Sequence, residues 1–156
     1  MKNIKILWGV IVVLLIILIA VGYKVTKGNV EPSDDNRVSV ILDKNERDLI
    51  LGEMRDFLVS VQGISQAITE KNIDKIITLS TKAGMQAEAG TPGAIFRKIP
   101  IAMKILGFDT RKRFDEISDL AKQKQDMHLL RTKLDALMKN CIACHNTFKM
   151  PESINR

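Results

Sequence analysis

The sequence predicts an all-α protein: an antiparallel four-helix bundle carried behind an N-terminal transmembrane helix. Three observations predict it. Residues 6–23 contain no charged side chain. Further along, apolar residues recur at alternating spacings of three and four, the period of an amphipathic helix. No stretch of useful length alternates apolar with polar residues as a half-buried strand does.

The N-terminal run from Ile6 to Tyr23 is eighteen residues long. As a helix it rises about 27 Å, close to the hydrocarbon thickness of a bilayer. Trp8 and Tyr23 fall near its ends, where amphipathic rings favour the membrane interface. Lys2 and Lys5 before the run are matched by Lys24 and Lys27 after it, so charge bias alone does not orient it. Ala20-Val21-Gly22 offers the small-x-small pattern of a cleavable signal peptide, but the apolar run is longer than a usual signal core. Residues 1–23 therefore read as an uncleaved signal anchor. Residues 24–43 read as a flexible linker, because 27–36 is polar, carries Gly and Pro and has no periodicity.

Residues 44–150 read as the helical domain. Asp43, with Glu46 three residues on, has the form of a capping box. Ile50, Met54, Phe57, Val61, Ile64 and Ile68 then form a seam over a helix at 44–69. Asn72 caps a second helix, with Ile73, Ile76, Ile77, Ser80, Ala83 and Ala87 inward, ended at Gly90-Thr91-Pro92-Gly93. The apolar stretch 94–109 suits a short helix over 100–106 opened by Pro100. Gly107 and Asp109-Thr110 then reset the chain, with Thr110 capping a third long helix that carries Phe114, Ile117, Leu120 and Ala121 inward. Asp126 caps the fourth, whose seam is Leu130, Leu134, Leu137, Cys141, Cys144 and Phe148, and Pro151 stops it.

That last seam contains Cys141-Ile142-Ala143-Cys144-His145. C-x-x-C-H is the attachment pattern of a c-type haem. On a helix the two thiols and the imidazole project within about 100° of arc, so two sulfurs can bond one porphyrin edge while the imidazole reaches the iron. Two other chemistries use such residues. A redox dithiol opens the helix of a βαβ unit, and no strand pattern precedes this motif. Zinc takes four ligands; the remaining histidine, His128, lies seventeen residues before His145, roughly 25 Å along a helix.

Four helices with C-x-x-C-H near the end of the last one resemble the class II c-type cytochromes, the cytochrome c′ family, over residues 44–150. The resemblance implies one covalent haem c, with Cys141 and Cys144 as its thioethers and His145 as proximal iron ligand. It implies a distal side built by the first part of the 44–69 helix. Met54 on that seam is the favoured sixth ligand, for a low-spin electron carrier; Leu51 in its place leaves the iron open to nitric oxide or carbon monoxide. Met85 and Met103 are lesser candidates. Arg47, near the same helix start, is a candidate contact for a haem propionate. Haem is attached outside the bacterial cytoplasmic membrane, so the domain is expected in the periplasm or otherwise outside that membrane. Homodimers occur in the family; the anchor and the apolar 94–109 connection depart from its usual form.

The net charge is +6; without Lys2 and Lys5, 22 basic residues face 18 acidic ones, net +4. Lys139, Lys149 and Arg156 surround the motif, a mildly basic rim suited to an acidic redox partner protein. The charge is too dispersed and aromatics too few for nucleic-acid binding. The expected function is single-electron transfer, with no enzymatic reaction.

Overall fold

The computed structural model describes residues 2–90 and 92–152, with side chains for residues 4–87 and 92–152. Thr91 of the second helix stop and Arg156 of the basic rim lie outside the described residues. Among those described, α-helices dominate: α1 (Lys2–Lys27), α2 (Lys44–Thr69), α3 (Ile73–Ala83), α4 (Gly93–Lys98), α5 (Ile101–Lys122) and α6 (Met127–Thr147). A 3₁₀ turn spans Met85–Gly90, and three short strands are β1 (Val30–Pro32), β2 (Val38–Val40) and β3 (Phe148–Lys149).

The most apolar 18-residue window of helix α1 has a mean hydropathy of 3.1, and none of that window is buried. The 26 residues of the helix rise about 39 Å, so it is long and apolar enough to cross a bilayer. Apolar side chains around its whole circumference are at home in lipid rather than water.

The expected flexible linker is folded instead. β1 and β2 form an antiparallel hairpin, and β2 pairs in parallel with β3, Val38 opposite Phe148 and Ser39 opposite Lys149. Val40 and Leu42 are buried. Asn36 takes φ +64° at the hairpin tip, a left-handed position that Asn tolerates. Asp35 closes the tip by accepting from the Arg37 backbone N–H (3.2 Å) and from the guanidinium (2.7 and 3.0 Å). These strands are too short to show alternation in sequence. They persist because their other partner, β3, arrives from the far end of the chain.

The core of the helical body draws on α2, α3, α5 and α6. Ile64 and Ile68 of α2 meet Ile76 of α3, Phe114 and Ile117 of α5, and Leu130, Leu134 and Leu137 of α6. Two expectations about the connections need correction. The second helix stops at Ala83 rather than at Gly90. Asp115 Oδ2 accepts the Met85 N–H at 3.0 Å, and a Cβ on Gly84 would collide with that carboxylate, so the chain turns there. Residues 85–90 then continue only as a 3₁₀ turn.

The reset at 107–110 does not occur: α5 runs without a break from Ile101. Thr110 bonds back to the Leu106 carbonyl at 2.8 Å, satisfying its hydroxyl inside the helix rather than capping a new one. Its true start is Pro100, the N-cap residue. A further short helix, α4, precedes it. Lys98 at the end of α4 donates to Asp43 (2.8 Å) and Glu46 (2.7 and 2.9 Å), tying that connection to the start of α2.

A second, smaller core forms where the segment after α1 meets the segment after α6. Val40 and Leu42, Ile50 of α2, Ile95 and Ile99, Met103 of α5 and Phe148 of β3 pack together.

Candidate functional site

Between the two cores lies a cleft of about 640 Å³. That volume falls in the range of small-molecule and cofactor sites, about 300–1,000 Å³. One wall is the first half of the α2 seam: Ile50, Leu51, Met54, Phe57, Leu58 and Val61. A second comes from α4 and α5, with Phe96, Ile99, Met103, Leu106, Gly107 and Phe108. The third is the end of α6, with Met138, Cys141, Ile142, Cys144 and His145. The sequence-predicted residues Met54, Cys141, Cys144 and His145 thus come together in one concavity.

The motif is held by its backbone. Phe148 N–H donates to the Cys144 carbonyl as α6 ends. Thr147 Oγ1 donates to the Ala143 carbonyl at 2.8 Å, and Arg37 Nη1 to the His145 carbonyl at 3.4 Å. The last-turn carbonyls of a helix lack intrahelical donors, and here a side chain from the β1–β2 hairpin supplies one. Arg47 Nε donates to the Met150 carbonyl at 3.0 Å. Its guanidinium braces the segment after the motif and does not line the cleft. His128 sits exposed at the start of α6, at the opposite end from His145.

Both cysteines are half-buried free thiols. Desolvation raises both thiol pKa values; the charge of Cys141 further raises that of Cys144. A catalytic dithiol needs the reverse, a depressed pKa at a helix N-terminus or beside a cation. These thiols are neutral at physiological pH and lie at the C-terminal end of a helix, which disfavours thiolate.

Two side chains at the site, Arg37 and Arg111, carry no local signal in the sequence, and Met103, a lesser candidate there, has its place set by the fold. Met103 lines the cleft together with Met54, and the two also border a smaller hollow of about 180 Å³ shared with Cys144 and His145. Arg37 and Lys149 border that hollow, but each is paired: Arg37 with Asp35, Lys149 with Asp34 at 2.9 Å and Asp35 at 3.4 Å. Asp35 is thereby held well below the usual carboxylate range, chiefly by Arg37. The Lys149 charge predicted for a basic rim is thus spent on the hairpin.

Arg111 is the second. It is 4% exposed, lines the cleft and binds Glu53 Oε2 at 3.1 Å. Its guanidinium lies 4.9 Å from the Phe57 ring centroid, and Phe57 stacks on the core ring of Phe114 at 5.6 Å. A charge at that depth requires a partner. Met85 lies in the 3₁₀ turn and does not line the cleft.

The donor set fits a covalently held haem. Two thiols and an imidazole from one helix face flank an apolar space, and thioether sulfurs stand on the facing walls. It does not fit a four-ligand zinc site, because the second imidazole is at the other end of α6. No family model, no curated protein and no solved structure matches this chain.

Proposed function

We propose that this chain is a membrane-tethered, extracytoplasmic c-type cytochrome with one covalent haem, folded as an antiparallel four-helix bundle and carrying single electrons. One observation carries the reading: Cys141, Cys144 and His145 line one apolar cleft of cofactor size, opposite the α2 and α5 methionines.

In this reading Cys141 and Cys144 hold the group as thioethers and His145 takes its iron. Bound there, haem supplies one iron centre that cycles between two oxidation states. Met54 remains the favoured sixth ligand, since it stands on the α2 seam; Met103 on the facing wall is its competitor. A thioether ligand from either residue would raise the potential and close the iron to gases. The apolar walls of α2 and α5 would lower the dielectric around a group bound between them. Arg111 places a paired positive charge at the edge of the space, where Glu53 balances it. In this reading the chain carries electrons to an unidentified redox partner protein rather than transforming a substrate.

One observation favours a second reading, a five-coordinate protein that binds nitric oxide or carbon monoxide. Leu51 lines both the cleft and the adjoining hollow beside Met54, and an aliphatic residue over the iron leaves it open.

The test is expression of the full chain in cells competent to attach haem covalently. Mass spectrometry should show the added mass of one haem, and the spectrum should be that of six-coordinate, low-spin iron. Met54→Ala should convert it to high spin; conversion by Met103→Ala instead would transfer the ligand role. A native high-spin spectrum that shifts on adding carbon monoxide would establish the gas-binding alternative. A colourless protein without added mass would overturn both.

A further inference from the structure

We propose that the helical domain is seated on the same bilayer that α1 enters, through the N-terminal end of α5, against anionic phospholipid headgroups. The chain leaves α1 without a free joint. Asn29 N–H donates to the Lys98 carbonyl at 2.7 Å, and Asn29 Nδ2 donates to the Ile41 carbonyl at 3.0 Å. Gly28 takes φ +69°, and a Cβ there would stand 2.5 Å from the Lys98 oxygen. The end of α1 therefore rests directly on the α4–α5 junction, and α1 also touches α5.

At that junction α5 begins with Ile101, 46% exposed, and one turn later presents Ile105, 60% exposed. Residues four apart share a helix face. A single exposed isoleucine is ordinary. Two on one face, beside the point where a lipid-embedded helix emerges, fit the acyl–headgroup boundary.

The charges nearby are complementary to anionic lipid. Lys24 and Lys27 end α1, Arg97 is exposed on α4, and Lys104 lies between the two isoleucines with its Nζ 5.7 Å from the Phe96 ring centroid. The acids at this end, Asp43 and Glu46, are engaged by Lys98. Long basic side chains can lay their stems along apolar surface and place their charge at phosphate level. Phe96, Ile99 and Met103, on the same two helices, line the cleft. The seated domain thus keeps its cleft near the headgroups, within reach of a partner at the membrane surface. This inference needs α1 in a bilayer and does not depend on what the cleft holds.

The test uses the full chain in nanodiscs of phosphatidylcholine and phosphatidylglycerol, with and without brominated acyl chains. Trp8 is the only tryptophan. With Trp8→Phe and Ile105→Trp, emission should fall about twofold or more in brominated lipid, as expected for a ring at the acyl boundary. With Trp8→Phe and Gln123→Trp, at the other end of α5, it should not change. Comparing two lipids for one protein cancels any absorbing group in the cleft. Equal emission from position 105 in both lipids, with native Trp8 quenched, would overturn the seating and leave the membrane span intact. Failure to quench Trp8 as well would overturn the span too. Shielding of position 105 from both bromine and acrylamide would put a protein surface there and overturn the lipid assignment.

Discussion

The two ends of the helical body use the same apolar repeat for different purposes. On α6, Leu130, Leu134 and Leu137 are fully buried, whereas Cys141 and Cys144, next along the same seam, are only half-buried. On α2, Ile64 and Ile68 are buried, whereas Met54, Phe57 and Val61 of the same seam line the cleft. At the closed end four helices satisfy one another. At the open end α2, α4, the first turns of α5 and the end of α6 border a cleft, and apolar surface faces a concavity. Apolar surface left out of contact forfeits about 25 cal/mol per Å². A seam that outlasts its protein neighbours is therefore a mark of a site, and a group bound there would offset that loss.

The largest expected effect falls at the open end. On the proposed function, replacing Cys141 and Cys144 together by Ser should abolish haem that survives a denaturing gel, while far-UV circular dichroism stays helical because the closed core is untouched. Loss of the helical signal as well would break the separation of the two ends.

Packing comes next. Leu134→Ala at the closed end should cost about 2–5 kcal/mol in urea denaturation of the detergent-solubilised chain. Leu58→Ala, at a side chain 68% exposed beside the cleft, should cost about 0.5 kcal/mol or less without bound cofactor. Similar costs at the two positions would remove the contrast.

A smaller effect of opposite sign is expected at Gly107. A Cβ there meets nothing within 4 Å, and the residue lies inside α5. Gly107→Ala should stabilise the cofactor-free chain by about 1 kcal/mol from backbone entropy alone. A methyl there also narrows the cleft it lines, so slower or incomplete haem attachment alongside higher stability would mark the glycine as kept for the site.

The smallest expected effect is acid dependence. Asp109 accepts from Arg113 at 2.6 Å and from Asn140 at 2.7 Å, linking α5 to α6. Its pKa is lowered, first by Arg113 and then by Asn140. A carboxyl with a folded pKa below its unfolded value contributes stability above the unfolded value, about 3.9, and loses it as pH falls through the folded one. Asp109 is partly exposed, so the contribution is modest. Asp109→Asn should narrow the difference between urea midpoints at pH 5 and pH 3; an unchanged difference would assign the acid loss elsewhere.

Much of this was legible from local signals. Repeats of three and four place α2 and α6 with close boundaries, because burial on one face imposes a period the chain cannot hide. The eighteen uncharged residues announce α1, and five consecutive residues state the chemistry proposed for the cleft. The hairpin was hidden because its partner, β3, lies more than a hundred residues away and each strand is too short to alternate. Continuity of α5 was hidden because Gly107 and Thr110 have the form of a break, and only the surrounding packing keeps them helical.

The sequence by itself determined the long helices α1, α2 and α6, which one suits a membrane and where the thiols and imidazole stand along α6. Tertiary structure alone decided that α2 and α5 leave a cleft before those groups, that Met103 rather than Met85 lines it, that Arg111 joins it, and that the segment after α1 clamps the site. The first set depends on neighbours within a turn or two. The second depends on contacts between distant residues, whose free energy exists only once the chain has closed on itself.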